Sequence, residues 1–431
     1  MRVAGEKMLS DSWRNALEGI LGAIGQGKLG AAADGVPAVL KALALELPYL
    51  LAHRYIQRDR RGAARFAAEL GGWPRTCSRP KVAVFSDTVD HVNGIAVGLR
   101  RLAAESRRAG LDLHLVGCGP VARPEVDADG VVRLPSVLEH RLAEYPDITW
   151  CVPHLPPMLR FLEEEEIDLV QVSTPGPVGI AALAAARLTG LPVVGQYHTD
   201  VPEYAMHLTG DPAAAAVVKL LVGWVYRSFD HVLVPTDWVG GVVRDLGVAA
   251  EKIVKVPRGI DLGTYSRARR DPSVFARWGV DGPVLLYVGR LSREKGIDHL
   301  LAAFRAVREE APETSLVLVG DGPLRAELER SAPPGCVLTG TITGEALAQL
   351  YASADVFVFP SQTETFGNVV VEAQASGLPC VASRCGGPEE VVVDGVTGVV
   401  VPVGDAESVA KVVGELLADD LRDRLLSLIH I

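Results

Sequence analysis

The chain of 431 residues is too long for one compact core and suits two domains of common size. A net charge of −10 argues against a nucleic-acid partner, and 48% hydrophobic content with 44 Gly and 28 Pro fits a globular α/β chain, not a disordered one. The six cysteines are scattered, form no C-x-x-C and sit beside no histidine cluster, which argues against a zinc site or a disulfide frame and for a reducing compartment.

Residues 1–78 read as a helical extension unlike the rest of the chain. Val36 to Ala52 is apolar and helical in composition, and Gln57 to Arg65 is a basic run. Together they predict either a small helical preface packed on the main body or an amphipathic membrane-surface element with a cationic flank. The first is favoured, because basic runs are ordinarily solvated faces. No apolar run approaches the roughly 18 residues of a membrane span. Met1 to Asp11 is polar and lacks the apolar stretch of a signal peptide. The expected location is cytoplasmic, with peripheral contact at the inner face of an anionic membrane as its extension.

From Lys81, strands and helices alternate. Strands are expected at Val82–Phe85, Leu111–Gly117, Val131–Pro135, Asp168–Val172, Pro192–Tyr197, His231–Pro235 and Ile253–Val256. Helices are expected at Ile95–Ala109, Met158–Glu166, Val178–Thr189, Pro212–Phe229 and Trp238–Leu246. The strands are continuous apolar runs, the pattern of a parallel sheet covered on both faces. The pattern pauses at Pro257-Arg-Gly-Ile-Asp261 and the basic stretch Arg267 to Arg277, which places a boundary between a first domain, 79–258, and a second, 259–425. The alternation resumes at Pro283 and runs to a helix from about Asp405. The last six residues, Leu426 to Ile431, read as the translation of a sequencing adapter, which implies a truncated final helix. Two tandem βα domains predict a cleft, with ligands outside the carboxyl ends of the strands.

The second domain concentrates the chemistry. After the apolar run Val356 to Phe359 comes Ser361-Gln-Thr-Glu-Thr-Phe-Gly-Asn368, and a helix opens at Asn368 and stops at Gly377. A strand, a glycine-bearing loop and a helix N-terminus suit an anion. Arg290 and Lys295, in Gly289-Arg-Leu-Ser-Arg-Glu-Lys-Gly296, fall at the same sheet edge. A diphosphate there would meet a guanidinium, an ammonium and a helix start, neutralised without a metal or cofactor. In the first domain, Asp127-Ala-Asp129 precedes Gly130 and a strand, so it reads as a turn in preference to a metal motif. His198, at a strand end with Asp200 nearby, reads as functional more readily than as a structural histidine. Arg100, Arg101, Arg107 and Arg108 crowd the first helix, as a solvated face or a lipid-headgroup surface.

The ordered series Gly289 to Gly296, Val319-Gly-Asp-Gly-Pro323, Glu364 with Glu372, Ala375-Ser-Gly-Leu-Pro379, Gly386-Gly-Pro-Glu389 and Asp394-Gly-Val-Thr-Gly398 resembles the retaining glycosyltransferases of family 4, which have the GT-B fold. The likeness covers roughly Lys81 to Ala418. It implies two Rossmann-like domains and transfer of a hexose from a UDP- or GDP-linked sugar to a lipid, sugar or small-molecule acceptor. It further implies that Arg290 and Lys295 bind the diphosphate and that Glu364 contacts the sugar hydroxyls. Phe366, Gly367 and Asn368 would line sugar and phosphates, Glu372 would hold the ribose, and Thr341 and Ile342 would line the base pocket. In the first domain it implies Gly94 as the glycine of the first loop that lets the donor phosphates approach, and His198 near the reacting centre. Many members carry Gly-Gly where this chain has Asn93-Gly94, which points to the branch of bacterial mannosyl- and glycolipid-type transferases. Two alternatives stand beside this reading: an epimerase or hydrolase of the same fold, and a non-catalytic scaffold that binds nucleotide sugars.

Overall fold

The computed structural model describes residues 79–90, 94–141, 149–203 and 211–418, with Trp13, Arg14, Leu17, Glu18, Ala42, Glu46, Leu47, Pro48 and Leu50 from the N-terminal stretch. The expectations for the N-terminal extension therefore fall almost wholly outside the described residues, as do those for Asn93 and for Leu426 to Ile431.

Chain contacts divide the protein into two units. The first takes the described residues up to His198, with Val217–Leu233 and Leu246–Val254; the second takes Thr199–Ala216, Val234–Asp245 and the chain from Lys255.

Apolar continuity decides the sheets. In chain order the elements of the first sheet region are β1 Val82–Phe85, α1 Gly94–Arg108, β2 Leu113–Gly119, β3 Glu125–Val126, β4 Val131–Arg141, β5 Thr149–Pro153, α2 Leu155–Glu164, β6 Leu169–Val172, α3 Pro177–Thr189, β7 Val193–Gln196, α4 Pro212–Arg227, β8 His231–Val234, α5 Asp237–Asp245 and β9 Ile253–Lys255. The strand order is β3-β4-β2-β1-β6-β7-β8-β9, with β5 beside β4. β1 lies parallel between β2 and β6, with Phe85 opposite Val116 on one side and Val172 on the other. The sheet is not wholly parallel: β3 and β5 both run antiparallel to β4. The sequence reading stopped that strand at Pro135, whereas β4 continues to Arg141 as a hairpin partner of β5. Its second half is an edge ribbon, so it lacks the unbroken apolar run of an interior strand.

The second unit continues with β10 Val284–Val288, α6 Ile297–Glu310, β11 Ser315–Val319, α7 Arg325–Ser331, β12 Cys336–Gly340, α8 Gly344–Ser353, β13 Val356–Phe359, α9 Asn368–Ala375, β14 Cys380–Ser383, α10 Gly387–Val391, β15 Gly398–Val401 and α11 Ala406–Leu417. Its sheet has the order β12-β11-β10-β13-β14-β15, parallel in every pair. The inner strands β10, β13 and β14 are buried along their whole length. Each large apolar side chain enclosed this way contributes about 1.5–3 kcal/mol of burial before entropy is counted. The basic stretch read as a boundary is two short 3₁₀ segments, Arg267–Arg269 and Pro272–Trp278, and Tyr265 and Phe275 seat it on the second core.

Glycines set the strand-end turns of this unit. Gly296 stands at φ +69° between the turn Arg293–Lys295 and α6, and a Cβ there would lie 2.1 Å from the Pro360 carbonyl oxygen. Gly296→Ala combines a left-handed backbone with a backbone clash, and should lower the stability of this unit by roughly 2–4 kcal/mol. Denaturant unfolding checks this; an unchanged midpoint would show that the turn can move.

Candidate functional site

The loop between β13 and α9 is fixed by four other segments of the chain. The Gln362 amide donates to the Glu294 carbonyl, 2.9 Å, and the Thr363 hydroxyl to Glu203 Oε2, 2.9 Å. The Gly387 amide donates to the Glu364 carbonyl, 2.9 Å, and a Cβ on Gly387 would sit 2.3 Å from the Thr365 carbonyl oxygen. The Thr236 hydroxyl donates to that same carbonyl at 3.3 Å. Gly367, at φ +85°, then turns the chain into α9.

This frame brings Lys295 and Glu364 together. Lys295 Nζ lies 2.9 Å from Glu364 Oε2, with the two side chains 20% and 22% exposed. Lys295 also stands 5.8 Å above the Phe359 ring. The other carboxylate oxygen, Glu364 Oε1, accepts from the amides of Thr365, 3.1 Å, and Phe366, 3.4 Å. Burial pushes the Glu364 carboxyl up. The charge and hydrogen bond of Lys295, the Phe366 amide and Arg258 outweigh it, and the carboxyl is held below its ordinary value. Burial likewise pushes Lys295 down, and the Glu364 charge reverses it, leaving the ammonium above its ordinary value.

Arg258 joins this group. Its Nη1 donates to Asn368 Oδ1 at 3.2 Å, and its guanidinium carbon lies 5.4 Å from the centroid of the Phe366 ring. Burial lowers its pKa, against the Glu364 charge. Sequence reading passed over Arg258 as part of an interruption. The available signal was a single guanidinium in a Pro-Arg-Gly turn directly after β9.

The other expected residues are spread over both units. Arg290 is exposed at the end of β10, beyond Gly289 at φ +156°. Thr341 is exposed just past β12, and Ile342 packs on the second core. Glu372, in α9, accepts from the hydroxyl of the fully buried Tyr351 at 3.1 Å. Burial and the Glu372 charge hold that phenol well above its ordinary range. All of these lie on the second unit, where Lys295, Glu364, Phe366 and Asn368 are joined, directly or through Arg258. Gly94 and His198 belong to the first unit. Gly94 opens α1 and is exposed, and His198 comes two residues after β7 and is half-buried.

The carboxyl edge of the first sheet also holds a cavity of about 460 Å³. Asp87, Asp90, Glu125, Asp127, Arg133 and Glu139 supply its charged lining. Arg133 is already engaged by two of them: it pairs with Asp90 and lies 2.8 Å from Asp127. The Asp127 carboxylate also takes the amides of Asp129, 3.0 Å, and Val131, 2.9 Å, so Asp127–Gly130 is the turn of the β3–β4 hairpin. Arg100 is likewise used within the protein, on the Val89 carbonyl and on Asp129. Among the described residues, Cys118, Cys380 and Cys385 are buried thiols; desolvation raises all three.

Two Rossmann-like sheets with glycine turns at their strand ends give the chain the GT-B fold. The family model for glycosyl transferases group 1 matches residues 282–419, and that for glycosyltransferase family 4 matches residues 92–264. The chain belongs to glycosyltransferase family 4. It is 35% identical over 340 residues to a GDP-mannose-dependent alpha-mannosyltransferase of Mycobacterium tuberculosis, spanning 76% of this chain and 85% of the relative. It is 28% identical over 315 residues to the alpha-monoglucosyldiacylglycerol synthase of Streptococcus pneumoniae, spanning 70% of each. Among solved structures it is similar to Anabaena HepE in complex with UDP and glucose, with a TM-score of 0.63 and 19% identity, covering 81% of this chain and 94% of that one. This last likeness shows the fold.

Proposed function

We propose that the protein transfers a hexose with retention from a nucleotide sugar, GDP-mannose first among the candidates, to a hydroxyl of a lipid or glycan acceptor. The observation that carries the reading is the Lys295–Glu364 pair at the entry to α9, with Arg258 behind Phe366 and Asn368. A nucleoside diphosphate leaves with growing negative charge. Lys295, Arg290 and the first turn of α9 are the groups that would hold that charge. Glu364 would accept hydrogen bonds from the sugar hydroxyls, and Glu372 from the ribose, while Thr341 and Ile342 flank the base. The acceptor is assigned to the first unit, with Gly94 at the start of α1 and His198 just past β7. The carboxylates of the 460 Å³ cavity suit the hydroxyls of an uncharged polyol better than a phosphate. The bond from the anomeric carbon to the diphosphate oxygen breaks as the acceptor oxygen bonds on the same face. The acceptor proton passes to the departing diphosphate.

The GDP preference and the lipid acceptor rest on the relatives: mannosyltransferases dependent on GDP-mannose at 35% and 30% identity, and a glycolipid synthase at 28%. At 100 times its dissociation constant, a true donor should stabilise the protein by about 2.7 kcal/mol. Thermal shift against GDP-mannose, UDP-glucose and their free diphosphates reads this. Release of nucleoside diphosphate should then require acceptor, and the product should keep the α configuration of the donor. Diphosphate release with no glycoside formed would overturn the transfer reading, and an inverted product would overturn retention.

A further inference from the structure

The N-terminal stretch reaches the wall of the first unit's cavity. Residues 1–78 lie outside both family models, which begin at residues 92 and 282. The described part of the stretch is nevertheless built into the unit. Ala42, Glu46 and Leu50 are buried, and their spacing of four residues puts them on one helical face, while Leu47 and Pro48 are exposed. A glutamate in the middle of a buried face needs partners. Trp13 donates a side-chain hydrogen bond to it, and burial pushes its carboxyl up against that bond. His154 Nε2 lies 3.7 Å from Glu46 Oε1, with the two side chains 8% and 3% exposed. Arg14, next to Trp13, donates from Nε to the Val137 carbonyl at 3.0 Å.

These contacts converge on one place in the fold. β4 pairs with β2 as far as Pro135 and with β5 from Ser136. The register shifts at that change of partner. Ser136 faces Pro153 and Leu138 faces Val152, so Val137 is an extra, bulged residue. A bulge interrupts the ladder, and Arg14 supplies a donor to the carbonyl of the bulged residue. His154 follows directly on β5, and its amide donates to the Pro135 carbonyl at 2.9 Å. Arg14 and Glu46 therefore grip the base of the ribbon, the first on β4 and the second just past β5. Glu139 of β4, with Thr149 and Cys151 of β5, lines the 460 Å³ cavity. Ser136 Oγ lies 2.7 Å from Glu139 Oε1 and 2.9 Å from the Gly119 carbonyl oxygen, which ties the gripped base to that lining.

We infer that the N-terminal stretch is a clamp: Arg14 and Glu46 hold the β4–β5 ribbon where it sets the width of the cavity, and so set which acceptor enters. Both act through the ribbon and are positioning residues. This deepens the acceptor part of the proposed function and rests on its reading of the cavity as the place of the acceptor hydroxyls.

The test is alkylation of the full chain by N-ethylmaleimide, without donor or acceptor, read cysteine by cysteine by peptide mass spectrometry. Cys151 reports on the ribbon. Burial pushes its thiol up to about 11, so wild type should label slowly there. In Arg14→Ala/Glu46→Ala it should label about tenfold faster. Cys380, buried in β14 of the second unit, should keep its wild-type rate. Glu46→Gln, which can still accept from Trp13, should label near the wild-type rate. Should the double variant not fold, Arg14→Ala alone removes an exposed side chain and should give a smaller rise of the same sign. In transfer assays the acceptor KM should rise about fivefold, with kcat and the donor KM unchanged. An unchanged Cys151 rate would overturn the clamp, whether or not transfer is observed. Faster labelling with an unchanged acceptor KM would overturn its link to the acceptor. Donor and acceptor constants that change together would assign the stretch a general structural role and overturn the inference as well.

Discussion

Lys295→Ala should lower kcat/KM for hexosyl transfer by roughly 10²–10³-fold, the loss usual when a positioned group facing transition-state charge is removed. Two effects add. In the proposed reaction the departing diphosphate would lose an ammonium, and Glu364 loses the partner 2.9 Å away that keeps it ionised in a part-buried place. Glu364→Gln should cost less than this, because the amide can still accept from a sugar hydroxyl. The pair acts as a unit, so Lys295→Ala/Glu364→Gln should lose little beyond Lys295→Ala alone. Steady-state kinetics on the three variants reads it, and fully additive losses would separate the residues. The signs of the shifts fix when the pair exists. Glu364 is depressed from 4.5, so its contribution is whole above that value and fades as pH falls through the lower, folded one. Lys295 is raised from 10.5, so its contribution is whole below that value and fades as pH rises through the higher one. Both charges are therefore present from about pH 5 to 10, and the loss in Lys295→Ala should hold across that range.

Arg258→Met should cost roughly tenfold to 10²-fold in kcat/KM through misplacement of the loop at the start of α9. The guanidinium covers Phe366 and donates to Asn368 Oδ1, so it holds two parts of that turn at once. Arg258→Lys should recover only a fraction, because an ammonium has neither the plane nor the fork. A positioning role predicts that kcat falls together with a rise in the donor KM, while the overall melting temperature shifts little. An unchanged kcat/KM in Arg258→Met would show that Gly367 and the Gly386-Gly387 turn hold the loop without it.

Much of this arrangement was legible in the residues. Interior strands such as Val284–Val288 and Val356–Phe359 are apolar at every position because both faces are covered, and that pattern is read directly. The proximity of Lys295 to the Glu364 loop was legible too, since both come after parallel strands that are neighbours in the sheet. What escaped reading was non-local or short. The antiparallel ribbon of β4 and β5 depends on a partner strand at the edge. Helix α10 has five residues, too few to show a period, and reads as a glycine turn. Arg258 is recruited by Asn368, 110 residues later, and nothing near it in sequence shows that pairing.

The two sheets also differ in how they treat a helix start. At the start of α3, Asp87 accepts from the Val178 amide at 2.8 Å and from the Thr174 hydroxyl at 2.7 Å. A Cβ on Gly176 would fall 2.6 Å from that carboxyl group. Burial raises the Asp87 pKa against those hydrogen bonds. The first unit thus fills its helix start with a carboxyl group of its own, where the second unit offers a cation near its helix start. A phosphate arriving at α3 would have to evict a covalently tethered competitor. Under the proposed function, this occupancy would leave the diphosphate to α9 and the uncharged hydroxyls to the strand ends beside Asp87.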